Sequence, residues 1–419
     1  MQNRQVVTFE VGGCGITVAN EFWIQVISEH GLEIDNVGIK AGKSTSSSIS
    51  GVQVFFDETR NGVYYPRTVC CDLSCSTADK FLNGITASCY DRKSFVCTDE
   101  GSGNCYAQAF HIDGLPVAQR ALERFRRIIE GCDSLQGVRF IHSLSGGTGS
   151  GLTGLLVRSV HDYLDAGSKS LIYSACVSPS SQTPDNCLST YNTILGLQDL
   201  VECAHMVFPY DNDAVLRQSG PKKSPNPFIA ECLSGITASM RFPGLVNADI
   251  RKIYSNCVLF KNMHFLLSAF SKNMKSVHEL THQVFEGVSV AMSCNVLAER
   301  ERTLASFMAF RGECIPMSRV HESIKSLQLE KSLHAVSASI CSQPVATEPG
   351  FLPAALTCVH NSTSISQFFG RIIGSFDSQF AARSHLYLYE QNGLQKTELE
   401  HARNLVASVA DLYREHQVN

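Results

Sequence analysis

The order of apolar and polar residues switches between two periods along the first half of the chain. Gln5–Val11 is mostly apolar and β-branched, the pattern of a buried strand. From Ile16 to His30, the residues Val18, Phe22, Val26 and Ile27 fall on one side at helical spacing. Thr68–Leu73, Val138–His142 and Leu171–Val177 read as further buried strands. Between them lie two helical patterns, Leu115–Gly131 and Gly151–Ala166. In the first, Pro116 near the start and Gly131 at the end suit the two helix termini. Strand–helix alternation predicts an α/β fold with a parallel sheet and helices on both faces.

The second half breaks this rhythm. A long helix is predicted from about Pro227 to Met240. Mixed elements follow, including His264–Ala269, Ser306–Phe310 and Ala355–Val359. A last helix runs from about Lys396 to His416, with Leu399, Ala402, Val406, Val409 and Tyr413 on one face and Glu398, Glu400, Arg403, Asp411 and Arg414 on the other. The division expected is a nucleotide-type α/β domain over 1–210, a core helix plus a smaller α+β domain over 211–365, and C-terminal helices over 366–419. Ser44–Ser50 is the one low-complexity patch and reads as a loop.

Composition narrows the classes. The 419 residues give room for two or three domains at roughly 150 residues each. Hydrophobic residues make up 44%, enough for sizeable cores. The net charge of −4 lacks the basic excess of a general nucleic-acid binder. No run approaches the about 18 apolar residues of a membrane helix, and the N-terminus lacks the charge pattern of a signal peptide. No nucleic acid and no membrane are therefore expected as partners. The 17 cysteines are an odd number, mostly isolated among apolar residues. They read as reduced side chains packed as small hydrophobes in a reducing, cytoplasmic compartment. Cys70, Cys71 and Cys75 form the only tight group, with no second ligand pair at zinc spacing.

Chemistry concentrates in glycine loops. Ser145–Gly151, Ser-Gly-Gly-Thr-Gly-Ser-Gly, follows a strand and opens a helix. Glycines let backbone N–H groups approach an anion, and a helix N-terminus adds unpaired donors and a favourable dipole. Thr148 and Ser150 add hydroxyls. The loop lacks the Gly-Lys-Ser/Thr ending of a P-loop and the glycine spacing of a dinucleotide fingerprint. Val11–Gly15 makes a second strand–glycine–helix junction, and Glu100–Asn104 a third glycine loop. Each alone reads better as a tight turn. Three at strand ends of one sheet can converge on a polyphosphate.

These residues, in this order, resemble the tubulin superfamily, and eukaryotic-type tubulins more than the bacterial cell-division homologue. The matches include Cys14–Gly15, Phe22–Trp23, Ile27–Gly31, Tyr65–Arg67 with Asp72–Leu73, Ser145–Gly151, Tyr191–Asn192, Asp211–Ala214, Arg241–Gly244, Asn247–Lys252, His264–Phe265, Phe310–Gly312 and Asn361–Thr363. The resemblance covers nearly the whole chain. It implies a Rossmann-like GTPase domain, GTP or GDP as ligand with Mg²⁺, and head-to-tail assembly into protofilaments in the cytoplasmic cytoskeleton.

Carried over by position, Gly12, Gly13, Cys14, Gly103, Asn104, Ser145, Gly146, Gly147, Thr148, Gly149 and Ser150 would surround the phosphates. Asp72 would face the magnesium shell and Asp185 the ribose. Asn212 and Asn226 would bond guanine, which offers an acceptor and donors on one edge that amides can match. For Asn226 a plain turn residue is an equal reading. Departures are Gly13 where the family has Gln, Ile16 and Thr17 where it has Asn and Gln, and Ser74 where it has Glu. They imply weaker nucleotide binding or a differently held Mg²⁺.

In the family a loop of the next subunit covers the nucleotide. Here that loop would carry Asp249, acting on the neighbouring subunit's GTP, and Lys252 at the interface. α-Tubulin has Glu at the latter position and β-tubulin Lys, so this chain is β-like and Lys252 could not act as a base. A hetero-oligomer with a second tubulin is expected, and an unusual homopolymer is the alternative. The stretch 271–278 is shorter than the family's lateral loop, and the acidic tail is absent, so side-to-side packing and tail-bound partners should differ. Two other functions stay open: a nucleating or scaffold tubulin with little turnover, and a metabolic nucleotide-dependent α/β enzyme. The 14 histidines form no Ser-His-Asp or Cys-His order, and His111, His142, His264 and His360 read as structural.

Overall fold

The computed structural model describes residues 4–417 except 43–48, 84–85, 100, 166–167, 181–185, 220–223, 287–288, 297–299, 314, 332, 334, 344, 346 and 348. Six strands build the first sheet: β1 Gln5–Val11, β2 Thr68–Asp72, β3 Phe95–Cys97, β4 Leu135–Ser143, β5 Leu171–Ser178 and β6 Met206–Asp211. Their order is β6–β5–β4–β1–β2–β3, with every pairing parallel. All seven residues of β1 are buried, Glu10 included, as in a strand covered on both faces.

The helices that cover this sheet are α1 Gly12–Glu29, α2 Gly114–Glu130, α3 Thr153–Asp165 and α4 Ser189–Cys203. The observed α1 starts four residues before the sequence expectation, because the glycine loop is itself the first helical turn. Gly12 enters it at φ +72°, open to glycine without penalty. A Cβ on Gly15 would collide with the Ile141 carbonyl, so this glycine sets how closely α1 lies on β4. Trp23 of α1 donates from Nε1 to Glu10 Oε1 at 2.7 Å, fixing the helix against β1.

Helix α5, Asn226–Arg241, is buried on nearly every face and separates the first sheet from a second one. The second sheet contains β7 Leu267–Lys272, β8 Thr303–Gly312, β9 Ala335–Cys341 and β10 Ala354–Ser362 in the order β7–β10–β8–β9. A short helix, α6 Ile250–Cys257, lies beside β8. Helices α7 Ile365–Ala381 and α8 Lys396–Glu415 pack on α4. The apolar face expected for α8 is the buried one, with Ala410 added. One apolar core runs from Val7 and Phe9 through Phe265 and Met308 to Val406 and Tyr413. A buried ionic knot also spans the parts: Glu29 of α1 meets Arg241 of α5 at 2.7 Å and Arg311 of β8 at 3.1 Å. Burial raises the Glu29 carboxyl, but the two guanidinium groups pull harder and hold it at about 2.

Three local expectations are corrected. The strand placed at His264–Ala269 lies three residues later, and Phe265 makes only an isolated bridge to Val207. A four-stranded sheet of three-residue strands (32–34, 39–41, 56–58, 64–66) was not anticipated, because such short strands carry no readable period. Helix α4 escaped for the opposite reason: it is buried almost all round, so no polar face marks it.

Candidate nucleotide site

The parallel sheet reverses its winding at β1, which is flanked by β4 and β2. At such a switch point, loops leaving the carboxyl ends of neighbouring strands diverge and leave a crevice. Gly12, Gly13 and Cys14 leave β1; Asp72 ends β2; the loop 101–104 follows β3; Ser145–Ser150 follows β4; Asn212 follows β6. These sequence-chosen residues therefore share one edge. Asp185 lies outside the described residues.

The loops touch. A Cβ on Gly12 would sit 3.4 Å from Gly149 N, and one on Gly147 would sit 2.5 Å from Cys105 N and 2.7 Å from Ser102 Oγ. A Cβ on Gly149 would meet Ser143 O at 2.6 Å. These glycines are required by backbone packing as well as by any ligand. Gly101 and Gly146 differ: a Cβ there meets nothing within 4 Å, so their backbones border open space. Gly103 and Asn104 take φ +54° and +56°, turning the third loop back toward loop 145–150. The two are linked by Ser102 Oγ and Thr148 Oγ1, 3.2 Å apart.

The strongest tie comes from a residue not singled out as functional. Asn192 of α4 is fully buried. Its amide donates to Asn104 O at 2.8 Å and to Ser145 O at 2.9 Å. Its carbonyl oxygen accepts from Tyr106 N at 2.9 Å and from the Tyr389 hydroxyl at 2.7 Å. One side chain thus fixes two glycine loops relative to each other and joins both to the C-terminal part. The signal was present: an amide inside an otherwise apolar helix must find partners.

His142 supports the same loop from below. Its Nδ1 donates to Gly149 O at 2.8 Å, and its Nε2 accepts from Ser174 Oγ at 2.8 Å. This tautomer follows from the two partners. Burial lowers its pKa to about 4, so the ring is a neutral strut, as expected for a structural histidine. His264 and His360 are also buried and lowered to about 4. Ser150 is buried, and its hydroxyl donates to Gly146 O at 2.6 Å, so it braces the turn.

Asp72 is 5% exposed, and its Oδ1 accepts from Ser74 N at 3.4 Å. Burial raises its pKa against that backbone help. A divalent cation would relieve the burial penalty, and one hard carboxylate beside phosphates is a donor set that Mg²⁺ accepts. Ser74 caps the helix 75–82 and offers no carboxylate. Ile16 is buried in the core, and the Thr17 hydroxyl donates to Gly13 O at 2.6 Å, so neither offers a polar group to a ligand. Asn212 opens the helix Asn212–Ser219 and Asn226 opens α5; both are partly exposed. The cysteine trio disperses: the Cys70 thiol donates to Glu10, Cys71 is buried, and Cys75 Sγ lies 2.7 Å from Cys97 Sγ.

Asp249 and Lys252 lie elsewhere. Asp249 caps α6, its Oδ1 accepting from Lys252 N at 2.7 Å, and it forms an ion pair with Arg4, just before β1. That is the amino end of the strand whose carboxyl end carries Gly12. Lys252 Nζ donates to Asn247 O at 3.3 Å.

The profile of the Tubulin/FtsZ family GTPase domain matches residues 5–220. The chain is 31% identical to the tubulin beta-2 chain of Emericella nidulans, over 99% of its own length and 95% of that protein's. It is 30% identical to the tubulin beta chain of Candida albicans (99% and 95%) and to the tubulin beta-1 chain of Homo sapiens (99% and 94%). With a glycine-lined crevice at the switch point of a parallel sheet, a second sheet and C-terminal helices, the chain belongs to the tubulin/FtsZ family and is a GTP-binding, cytoskeletal protein of tubulin type.

Proposed function

We propose that this chain is a subunit of a head-to-tail filament, built with a second tubulin-type chain, whose GTP is held by one subunit and completed by the next. The observation that carries the reading is the convergence of loops 12–14, 101–104 and 145–150, the last two locked together by Asn192 and the first packed on Gly149. Backbone N–H groups of those loops, with the helix start at Gly12, would receive the phosphates. Asp185 would meet the ribose, Asn212 and Asn226 the guanine. Asp72 would hold Mg²⁺, whose chemistry when bound is to neutralise phosphate charge. We read residues 1–210 as the nucleotide-binding part, 211–365 as the core helix with the intermediate part, and 366–419 as C-terminal helices. Among the described residues no helix is long and apolar enough to cross a membrane.

Asp249 sits at the sheet's opposite end, which supports a role on a neighbour's nucleotide and not on the chain's own. A carboxylate there would orient the attacking water. A second reading, a nucleating or scaffold subunit with little turnover, is favoured by Lys252 and by Ser74, Ile16 and Thr17, none of which supplies a carboxylate or a ligand-facing amide.

The test is labelled GTP binding competed by ATP, followed by light scattering and negative-stain microscopy with GTP, alone and with a candidate partner chain. Selective GTP binding with filaments is expected. Capped rings or small oligomers would favour the second reading, and equal competition by ATP would overturn the guanine assignment.

A further inference from the structure

We propose that His278, His282 and Glu330 form a surface binding site for a divalent transition-metal ion of the zinc class. The helix Val277–Gln283 is anchored by Val277, Leu280 and Thr281, which are buried, and its start is capped by Ser276. That leaves His278 and His282, four residues apart, side by side on another face. Their rings stack with centroids 4.2 Å apart. The neighbouring helix Met317–Lys331, held down by Val320, Ser323 and Leu327, brings Glu330 to the pair. Its Oε2 lies 3.7 Å from His282 Nδ1. One ligand atom from each of the three residues lies within 4.8 Å of the other two.

The chemistry of the set selects the ion. Two imidazoles and one carboxylate suit zinc, cobalt or nickel, whereas magnesium and calcium prefer oxygen alone. Tetrahedral ligands on bonds of about 2.0 Å stand about 3.3 Å apart. His278 and Glu330 are both exposed, so closing that gap calls on side chains at solvent-facing positions. The other Glu330 oxygen, Oε1, accepts from Ser326 Oγ at 2.7 Å, the kind of outer contact that orients a metal-binding carboxylate. His282 Nε2 is enclosed with no hydrogen-bond partner.

The five residues His-Glu-Leu-Thr-His have the spacing that places two zinc ligands on one helical face, with a glutamate between them. In hydrolytic sites that glutamate is the base. Here Glu279 Oε2 accepts from Lys275 N at 3.0 Å, at the start of the helix, and the site is open to solvent. The arrangement supports ion binding, with no hydrolytic step. An ion would clip the helix Val277–Gln283 to the helix Met317–Lys331, next to the short turn 273–276 that joins it to β7. The site is remote from the nucleotide loops, and its test is independent of the GTP reading.

The experiment uses the full chain after chelator treatment. Cobalt(II) is titrated and read by its visible d–d bands, and zinc(II) is titrated against a chromophoric chelator. One ion per chain is expected, without the intense near-ultraviolet band of thiolate–cobalt bonds that exposed Cys14 or Cys187 would produce. His278→Ala and His282→Ala should each abolish stoichiometric binding. Glu330→Gln should weaken it about ten-fold or more, and Ser326→Ala by less. All four should bind GTP as the parent does, which reports folding. Unchanged metal affinity in the His278→Ala/His282→Ala double variant, a thiolate band, or no stoichiometric binding by the parent would each overturn the site.

Discussion

Replacing Asn192 by alanine should loosen the nucleotide loops from within. The parent amide satisfies Asn104 O, Ser145 O and Tyr106 N and receives the Tyr389 hydroxyl, all at 2.7–2.9 Å in a fully buried setting. Alanine strands the Tyr106 N–H, at about 1–3 kcal/mol for a buried unsatisfied donor, and removes two bonds to carbonyls at about 1 kcal/mol each. The Tyr389 hydroxyl keeps Leu188 O at 3.3 Å and so loses less. The sum is about 4 kcal/mol of stability, measured as a shift of the urea midpoint at unchanged slope. Nucleotide affinity should fall at least ten-fold, about 1.4 kcal/mol, because the loops 101–104 and 145–150 lose their common anchor. Tyr389→Phe should cost about 1 kcal/mol, and the double variant less than the sum, since the two groups share a bond. Fluorescent GTP titrated into folded variants reads the second effect apart from the first. Parent-like affinity in a folded, destabilised Asn192→Ala would show that the amide supports the core without setting the loops.

Three further outcomes follow from the same geometry. Gly149→Val should abolish GTP binding, since its Cβ would press on Ser143 O at 2.6 Å, while Thr148→Ser, which keeps the hydroxyl, should bind nearly as the parent in the same titration. Acid should destabilise the fold between pH 6.5 and about 4: His142, His264 and His360 stay neutral in the fold while the unfolded chain takes up their protons, on the order of 3 kcal/mol each at the limit. Asp199, raised to about 6 by burial, works in the opposite direction, as do Glu10 and Asp72, whose carboxyls burial also raises, while burial lowers His205 and His282 and adds them to the imidazole side; urea midpoints at pH 7 and pH 5 decide, and equal values would refute the ledger of buried imidazoles. Lys252→Glu should speed phosphate release per assembled subunit and Asp249→Asn should slow it; the asparagine keeps the helix cap, so a slower rate would report the lost charge. Lys252→Glu filaments of normal mass with no faster release would remove this loop from the shared site.

The parts legible in the sequence were those where one period dominates. Gln5–Val11 and Leu171–Ser178 are buried on both faces and read as apolar runs; α8 shows its core face at every turn. The glycine loops could be read because Gly147 and Gly149 leave no room for a side chain, so the backbone writes itself into the sequence. What could not be read were contacts between residues far apart in the chain. Asn192 meets Asn104 and Ser145 across 88 and 47 positions, and Tyr389 meets Asn192 across 197. No local pattern encodes such pairings. The Glu29 knot with Arg241 and Arg311 is of the same kind, three charges from three elements that only the fold brings together.

The two ends of β1 bear on the proposed shared site. Arg4 and Asp249 stand at the amino end, and Gly12 at the other; eight residues of strand separate positions 4 and 12 by about 25 Å. A carboxylate cannot act over that distance within one chain, so Asp249 can reach a nucleotide only on a second chain stacked end to end. In the lone chain its charge is held by Arg4, whose side chain is 55% exposed. The Asp249 side chain is 16% exposed, so the pair is half-buried, but its Arg4 end is open to solvent, and a phosphate or a bound water at an interface could replace that end. Lys252, with Nζ resting on Asn247 O, brings to the same interface a positive charge and no base. Asp249 alone would then have to orient the water, where an added carboxylate at position 252 would share the task. Turnover of the chain's own nucleotide would therefore turn on what the chain covering it contributes, whereas Lys252→Glu would add a carboxylate only at the nucleotide of the neighbour that this loop covers.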